Sequence, residues 1–163
     1  METVSNKPAV PAVLIVDDEE IITTSLRNLL RVRTEYRPVG CNSPEEALAK
    51  AGAETFDVVI SDYLMPSMDG VSFLSRFKEI QPQAMRILLT GYADKDSAIR
   101  AINQVGLFQY IEKPWDNDAL LLAVRNALDK SSLLRTLDRK IAELHAANAS
   151  LKEFQNELIR TFI

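Results

Sequence analysis

A chain of 163 residues with 47% apolar side chains is long enough for one packed domain and an extension. Its net charge of −4 and pI near 5.1 speak against a nucleic-acid surface, which needs a basic patch. A single cysteine, Cys41, excludes an internal disulfide, no apolar run reaches membrane-spanning length, and the opening METVSNKPAVPA lacks the apolar core of a signal peptide, so no membrane contact and a cytoplasmic setting are expected.

Residues 1–11, with Pro8 and Pro11, read as an extended leader. Ala12 to Val16 (AVLIV) is a continuous apolar strand, and Ile21 to Val32 carries leucine and isoleucine at helical spacing. YRPVGC is a weaker strand whose Pro38 points to a sheet edge. A short helix follows at SPEEALAKAG. Ser43 and Glu46 form a capping box, Pro44 takes the first helical position, and Gly52 closes it. Phe56 to Ser61 is the third strand. Val71 to Ile80 is a helix stopped by Pro82. MRILLT is the fourth strand, Lys95 to Val105 a helix closed by Gly106, and FQYIE the fifth strand. A last helix starts near Asp116, its N-cap.

Strands alternating with helices predict an α/β domain over residues 12–130. Purely apolar strands fit a five-stranded parallel sheet covered on both faces. The doubly wound, flavodoxin-like order 2-1-3-4-5 makes strands 1 and 3 neighbours and opens a crevice at their carboxyl ends. After Lys130 glycine and proline vanish. Leu137, Leu144, Leu151 and Leu158 recur every seven residues, with Leu134, Ile141, Asn148, Gln155 and Phe162 as the second set. Residues 131–163 are therefore expected to extend the last helix as a coiled coil.

Asp17 and Asp18 close strand 1, Asp62 closes strand 3, Thr90 closes strand 4 and Lys113 follows strand 5. Singly, each has a structural reading: helix-capping acids, a turn residue before Pro66 and Gly70, a strand end, a solvated lysine. Jointly they converge on the crevice. Two like charges about 4 Å apart cost roughly 4 kcal/mol at an effective dielectric near 20, so a pKa must rise, a cation must bind, or Lys113 must offset the charge. Carboxylate oxygens suit Mg²⁺. Lys113 and the Thr90 hydroxyl are left to hold an anion, a set of parts for phosphoryl transfer.

The joint pattern of LIVDDE, SDYLMPSMDG, LLTGYAD and YIEKPW resembles the receiver domain of two-component response regulators, over about Ala12 to Lys130. The resemblance implies that a histidine kinase phosphorylates Asp62. It makes Asp17, Asp18, Asp62 and the Leu64 backbone carbonyl the Mg²⁺ ligands. Thr90 becomes the switch hydroxyl, Lys113 the phosphoryl-binding lysine, and Tyr110 the aromatic that turns inward on activation. It also implies a Lys113-Pro114 bond of the kind that is cis in many receivers. On this reading the chain is no enzyme beyond promoting its own phosphorylation and dephosphorylation.

A haloacid-dehalogenase-type phosphatase needs a second acid two residues after its nucleophile, and Leu64 stands there. A pseudo-receiver, kept only as an interaction module, conflicts with the complete acid, threonine and lysine set. A nucleotide site wants a glycine-rich loop after strand 1, and VDDEEI has no glycine. His145, in ELHAANAS, lacks the acid and proline expected beside a kinase phosphoacceptor histidine, and reads as a solvated helix residue. Trp115 is expected to pack at the start of the last helix. The seam predicts a parallel homodimer through about Leu133 to Phe162, with Asn148 paired across it. No output motif follows Lys130, so an output domain absent from this sequence is expected downstream. TGYAD, AINQVG and YIEKPWD resemble receivers that precede cyclic-di-nucleotide phosphodiesterases, hydrogenase-type transcription regulators or kinase modules.

Overall fold

The computed structural model describes residues 9–162. Most of the expected leader, residues 1–8, and Ile163 lie outside the described residues. The element order is β1 (Ala12–Val16), α1 (Glu20–Arg33), β2 (Arg37–Cys41), α2 (Pro44–Ala51), β3 (Val58–Asp62), α3 (Gly70–Ile80), β4 (Met85–Thr90), α4 (Lys95–Val105), β5 (Gln109–Glu112) and α5 (Asn117–Thr161). The strands form one sheet in the order β2-β1-β3-β4-β5, and every pairing is parallel. This is the flavodoxin-like doubly wound fold.

That order fixes where the helices go. The chain steps one way from β1 to β2 and the other way at every later crossover. Right-handed connections then put α1 on one face and α2, α3 and α4 on the other. The cores follow. Leu14, Val16, Val59 and Leu88 join Ala47, Phe73, Leu74, Phe77, Ala98 and Ala101 in one apolar cluster. The alternate residues Val13, Ile15, Val58, Ile60, Ile87 and Leu89 are buried too, with Leu26, Leu30, Leu120 and Val124 from α1 and α5. β1, β3 and β4 are buried throughout, which is why they read as mainly apolar runs, broken only by Ser61 and Asp62 on β3 and by Arg86 and Thr90 on β4. β2 and β5 are the partly exposed edges, and Pro38 sits on one of them.

Local signals end the elements. The Ser43 hydroxyl accepts from the Glu46 N–H at 3.1 Å, and the Asp69 carboxylate accepts from the Ser72 N–H at 2.7 Å. Asp116 accepts from the Ala119 N–H at 3.1 Å. Gly106 closes α4 in the left-handed region, with φ 69. Gly52 also ends its helix, but at φ −74, so no left-handed cap forms there. A short 3₁₀ turn, Tyr92–Asp94, precedes α4. The free Cys41 is buried, and burial pushes its thiol up to about 11.

The chain divides into two compact units between Ser131 and Ser132. In the first, the Ser131 hydroxyl donates to the Gln83 carbonyl at 2.9 Å and the Lys130 ammonium lies 5.7 Å from the centre of the Phe108 ring. The second unit is helical to Thr161, and from Thr136 onward its side chains are exposed.

Candidate functional site

Three strand ends build the site. β1 leads into Asp17 and Asp18, β3 ends on Asp62, and β4 ends on Thr90. The loop after β5 brings Lys113. One carboxylate oxygen from each of Asp17, Asp18 and Asp62 falls within a 4.8 Å span. Lys113 Nζ lies 2.8 Å from Asp62 Oδ1 and 3.6 Å from Asp17 Oδ2. Asp17 and Asp62 are buried, whereas Asp18 is exposed.

The backbone holds these groups in place. The Lys113 N–H donates to the Thr90 carbonyl at 2.8 Å, so the β4 end carries the lysine, and the Lys113-Pro114 peptide is cis. The Tyr63 N–H donates to the Leu89 carbonyl and the Gly70 N–H to the Tyr63 carbonyl, which folds the loop after Asp62 back over β3. Gly70 is required there, because a Cβ would overlap the carbonyl oxygen of Asp62. Sequence reasoning missed Asn42. Its side-chain amide donates to the Asp17 carbonyl at 3.0 Å and to the Thr23 hydroxyl at 3.2 Å. The Asp17 N–H in turn donates to the Cys41 carbonyl at 3.2 Å. The last residue of β2 and the first after it thus hold the peptide N–H and carbonyl of an acid far from them in sequence.

The electrostatics are strained. Burial raises the Asp17 carboxyl from 3.8 to about 6, partly opposed by the Glu19 N–H that it accepts at 2.9 Å and reinforced by the Asp62 charge. Burial alone would lower the Lys113 ammonium. Its hydrogen bond and charge interaction with Asp62, with Asp17 beyond, outweigh that and raise it. Two buried oxygens lack any hydrogen-bond partner among the described residues: Asp17 Oδ2 and Thr90 Oγ1. A buried polar atom left unpaired is costly unless something else meets it.

Those orphans bear on what the site can take. An all-oxygen acidic set, with a buried carboxylate oxygen that only the Lys113 charge at 3.6 Å meets, fits a hard divalent cation. The buried Thr90 hydroxyl at the end of β4 and the Lys113 ammonium beside Asp62 are donors available to an anion. Tyr110, on β5, is half-buried against the core, while Leu64 and Tyr92, in the loops after β3 and β4, are exposed.

The family model described as the response regulator receiver domain matches residues 13–125. This chain belongs to that family. The receiver is similar to the hydrogenase transcriptional regulatory protein HoxA of Cupriavidus necator, at 35% identity over 86% of this chain and 29% of that protein. It is also similar to the DNA-binding transcriptional regulator NtrC of Salmonella typhimurium, at 34% identity over 71% of this chain and 24% of that one. Among solved structures, the signal receiver domain of an HD domain-containing protein from Pseudomonas fluorescens superposes with TM-score 0.72 at 36% identity, over 76% of this chain and 98% of its own. The chain spans under a third of the length of these curated relatives. No helix among the described residues is long and apolar enough to cross a membrane.

Proposed function

We propose that this receiver accepts a phosphoryl group on Asp62 from a histidine kinase in the cytoplasm. The observation that carries the proposal is that three carboxylates, one lysine and one threonine hydroxyl without a hydrogen-bond partner all lie at the carboxyl ends of the sheet's strands. Asp17, Asp18, Asp62 and the Leu64 carbonyl are the proposed Mg²⁺ ligands. When bound, the ion supplies positive charge against the phosphoryl oxygens. A carboxylate oxygen of Asp62 attacks phosphorus as the bond to the donor imidazole nitrogen breaks, and the electron pair leaves on that nitrogen. Lys113 holds the phosphoryl charge. The Thr90 hydroxyl, with no present partner, turns to donate to it, and Tyr110 moves inward behind it. No acid stands two residues after Asp62, so Leu64 supports acceptance of the group rather than a phosphatase turnover.

Residues 12–130 are the proposed receiver and residues 131–163 a signalling helix that pairs in parallel with a second copy. Its relatives bear names of transcription regulators and of an HD domain-containing protein, so an output domain is proposed to act downstream of the helix. With a small-molecule phosphodonor and Mg²⁺, intact-mass measurement should show one added phosphoryl group on the wild type and none on Asp62→Asn. Equal labelling of the two proteins would remove Asp62 as the acceptor. Labelling of the wild type that persists undiminished in EDTA would remove the ion.

A further inference from the structure

The helical unit after Ser131 carries two possible seams. Leu144, Leu151 and Leu158 are exposed, and so are the residues three and four positions beyond each. A two-stranded coil needs a second core residue between successive leucines. Four positions on, the candidates are Asn148, Gln155 and Phe162. Three positions on, they are Ala147, Phe154 and Thr161. Neither set is a clean apolar ladder. The first buries two amides and keeps Phe154 on the flank. The second buries Phe154 and frees both amides, but offers only a methyl group and a threonine beside it. Upstream there is no such ambiguity. Leu137 is followed three positions on by Lys140 and four on by Ile141, so only the first spacing is apolar there.

From this pattern we infer that the tail pairs with a second copy of this chain in two alternative registers, with Leu144, Leu151 and Leu158 in the core of both. The inference rests on the parallel-dimer reading above. Passing from one to the other keeps the leucines and exchanges their partners. At 3.5 residues per turn the two seams lie about 50° apart around each helix, so the exchange is a rotation of each strand by about one-seventh of a turn. The second register places two steps of three in succession, Ile141 to Leu144 to Ala147, and overwinds the coil locally. A lone buried asparagine fixes a register. Here Asn148 and Gln155 penalise the register that the upstream heptads impose, and Phe154 rewards leaving it. The tail is therefore a two-state element, and the phosphorylation state of the receiver is the bias proposed to act on it.

Disulfide cross-linking of single cysteines in a Cys41→Ala background tests this on the full chain. Leu144→Cys belongs to both cores and reports the dimer. Asn148→Cys reports the first register, Ala147→Cys the second, and Glu153→Cys lies on the outer face in both. The expected result is that Asn148→Cys and Ala147→Cys both cross-link at least tenfold faster than Glu153→Cys. Their ratio should shift severalfold on adding beryllofluoride with Mg²⁺, a stable mimic of the acyl phosphate, and not in Asp62→Asn. Adding Asn148→Leu with Gln155→Leu should lock the first register and return Ala147→Cys to the Glu153→Cys rate. If Ala147→Cys stays at that outer rate in every state while Leu144→Cys cross-links, the coil has one register and the inference is overturned with the dimer intact. If Leu144→Cys also fails, the parallel dimer falls, and the registers with it.

Discussion

Asp17 is the side chain whose ionisation this fold opposes most directly. Its carboxyl is raised from 3.8 to about 6, chiefly by burial. Between those two values the folded protein holds a proton that the unfolded chain has released. Folding then takes up a proton, so the stability linked to Asp17 is present below about pH 4 and is lost as pH rises through about 6. A shift of that size is on the order of 3 kcal/mol. In metal-free protein, Asp17→Asn should therefore gain on the wild type by up to about 3 kcal/mol between pH 4.5 and 7.5, read by urea unfolding in EDTA. A constant difference across that range would show that burial is not what raises the group. Asn42 acts on the same acid through its peptide. Removing the amide with Asn42→Ala leaves the Asp17 carbonyl without that partner. By the usual effect of such supporting groups, Mg²⁺ affinity should fall roughly tenfold. Isothermal titration of the unphosphorylated protein measures this. Unchanged affinity would reduce Asn42 to a packing role.

At the scale of elements, the proposed phosphorylation of Asp62 makes the loops after β3 and β4 the segments to test for control of water. Two residues past Asp62 stands Leu64, and two past Thr90 stands Tyr92, exposed at 62% and 83%. Neither is an acid or amide able to hold an attacking water, so the acyl phosphate should decay slowly. Leu64→Asn with Tyr92→Glu should shorten its lifetime about tenfold, or 1.4 kcal/mol of barrier. Decay of the phosphorylated mass gives the rate, and an unaltered half-life in the double variant sinks the idea. The strand ends from which these two positions are counted, Asp62 on β3 and Thr90 on β4, were legible in the sequence. The same holds for β1 and β4, where AVLIV and MRILLT match the strand bounds, and for α4, which ends where Gly106 turns left-handed. The Tyr92–Asp94 turn was not legible, since TGYAD has no apolar period. Nor was Asn42, because an asparagine after a strand reads as a loop residue until the fold shows what its amide meets. Arg86 is the third such case. Within MRILLT it is a charge inside a buried strand, and the structure explains it: its guanidinium donates to the Ala84 and Gly106 carbonyls at 2.9 and 3.0 Å. Burial holds that group below its usual range.

The whole molecule presents a different problem from either the site or its loops. The first unit closes its own core, and α5 then continues to Thr161 with Leu137, Ile141, Leu144, Leu151 and Leu158 in water. An isolated helix is marginal in water, and most helical stability comes from covering an apolar face. The seven-residue period persists from Leu137 to Leu158, which a helix folded back on a globular surface does not need and a two-stranded coil does. Asn148 favours two parallel strands in register, since its amide can meet its symmetry mate. The full chain should therefore scatter light as a dimer at micromolar concentration, and a version ending after Ser131, which keeps the hydroxyl bonded to Gln83, should scatter as a monomer. The dimer should withstand added salt, because its seam is apolar while surface charge pairs such as Lys140–Glu143 are screened. A monomeric full chain would refute the coil. A dimeric truncation would move the interface onto the receiver, and the exposed leucines of the tail would then await a partner other than their own copy.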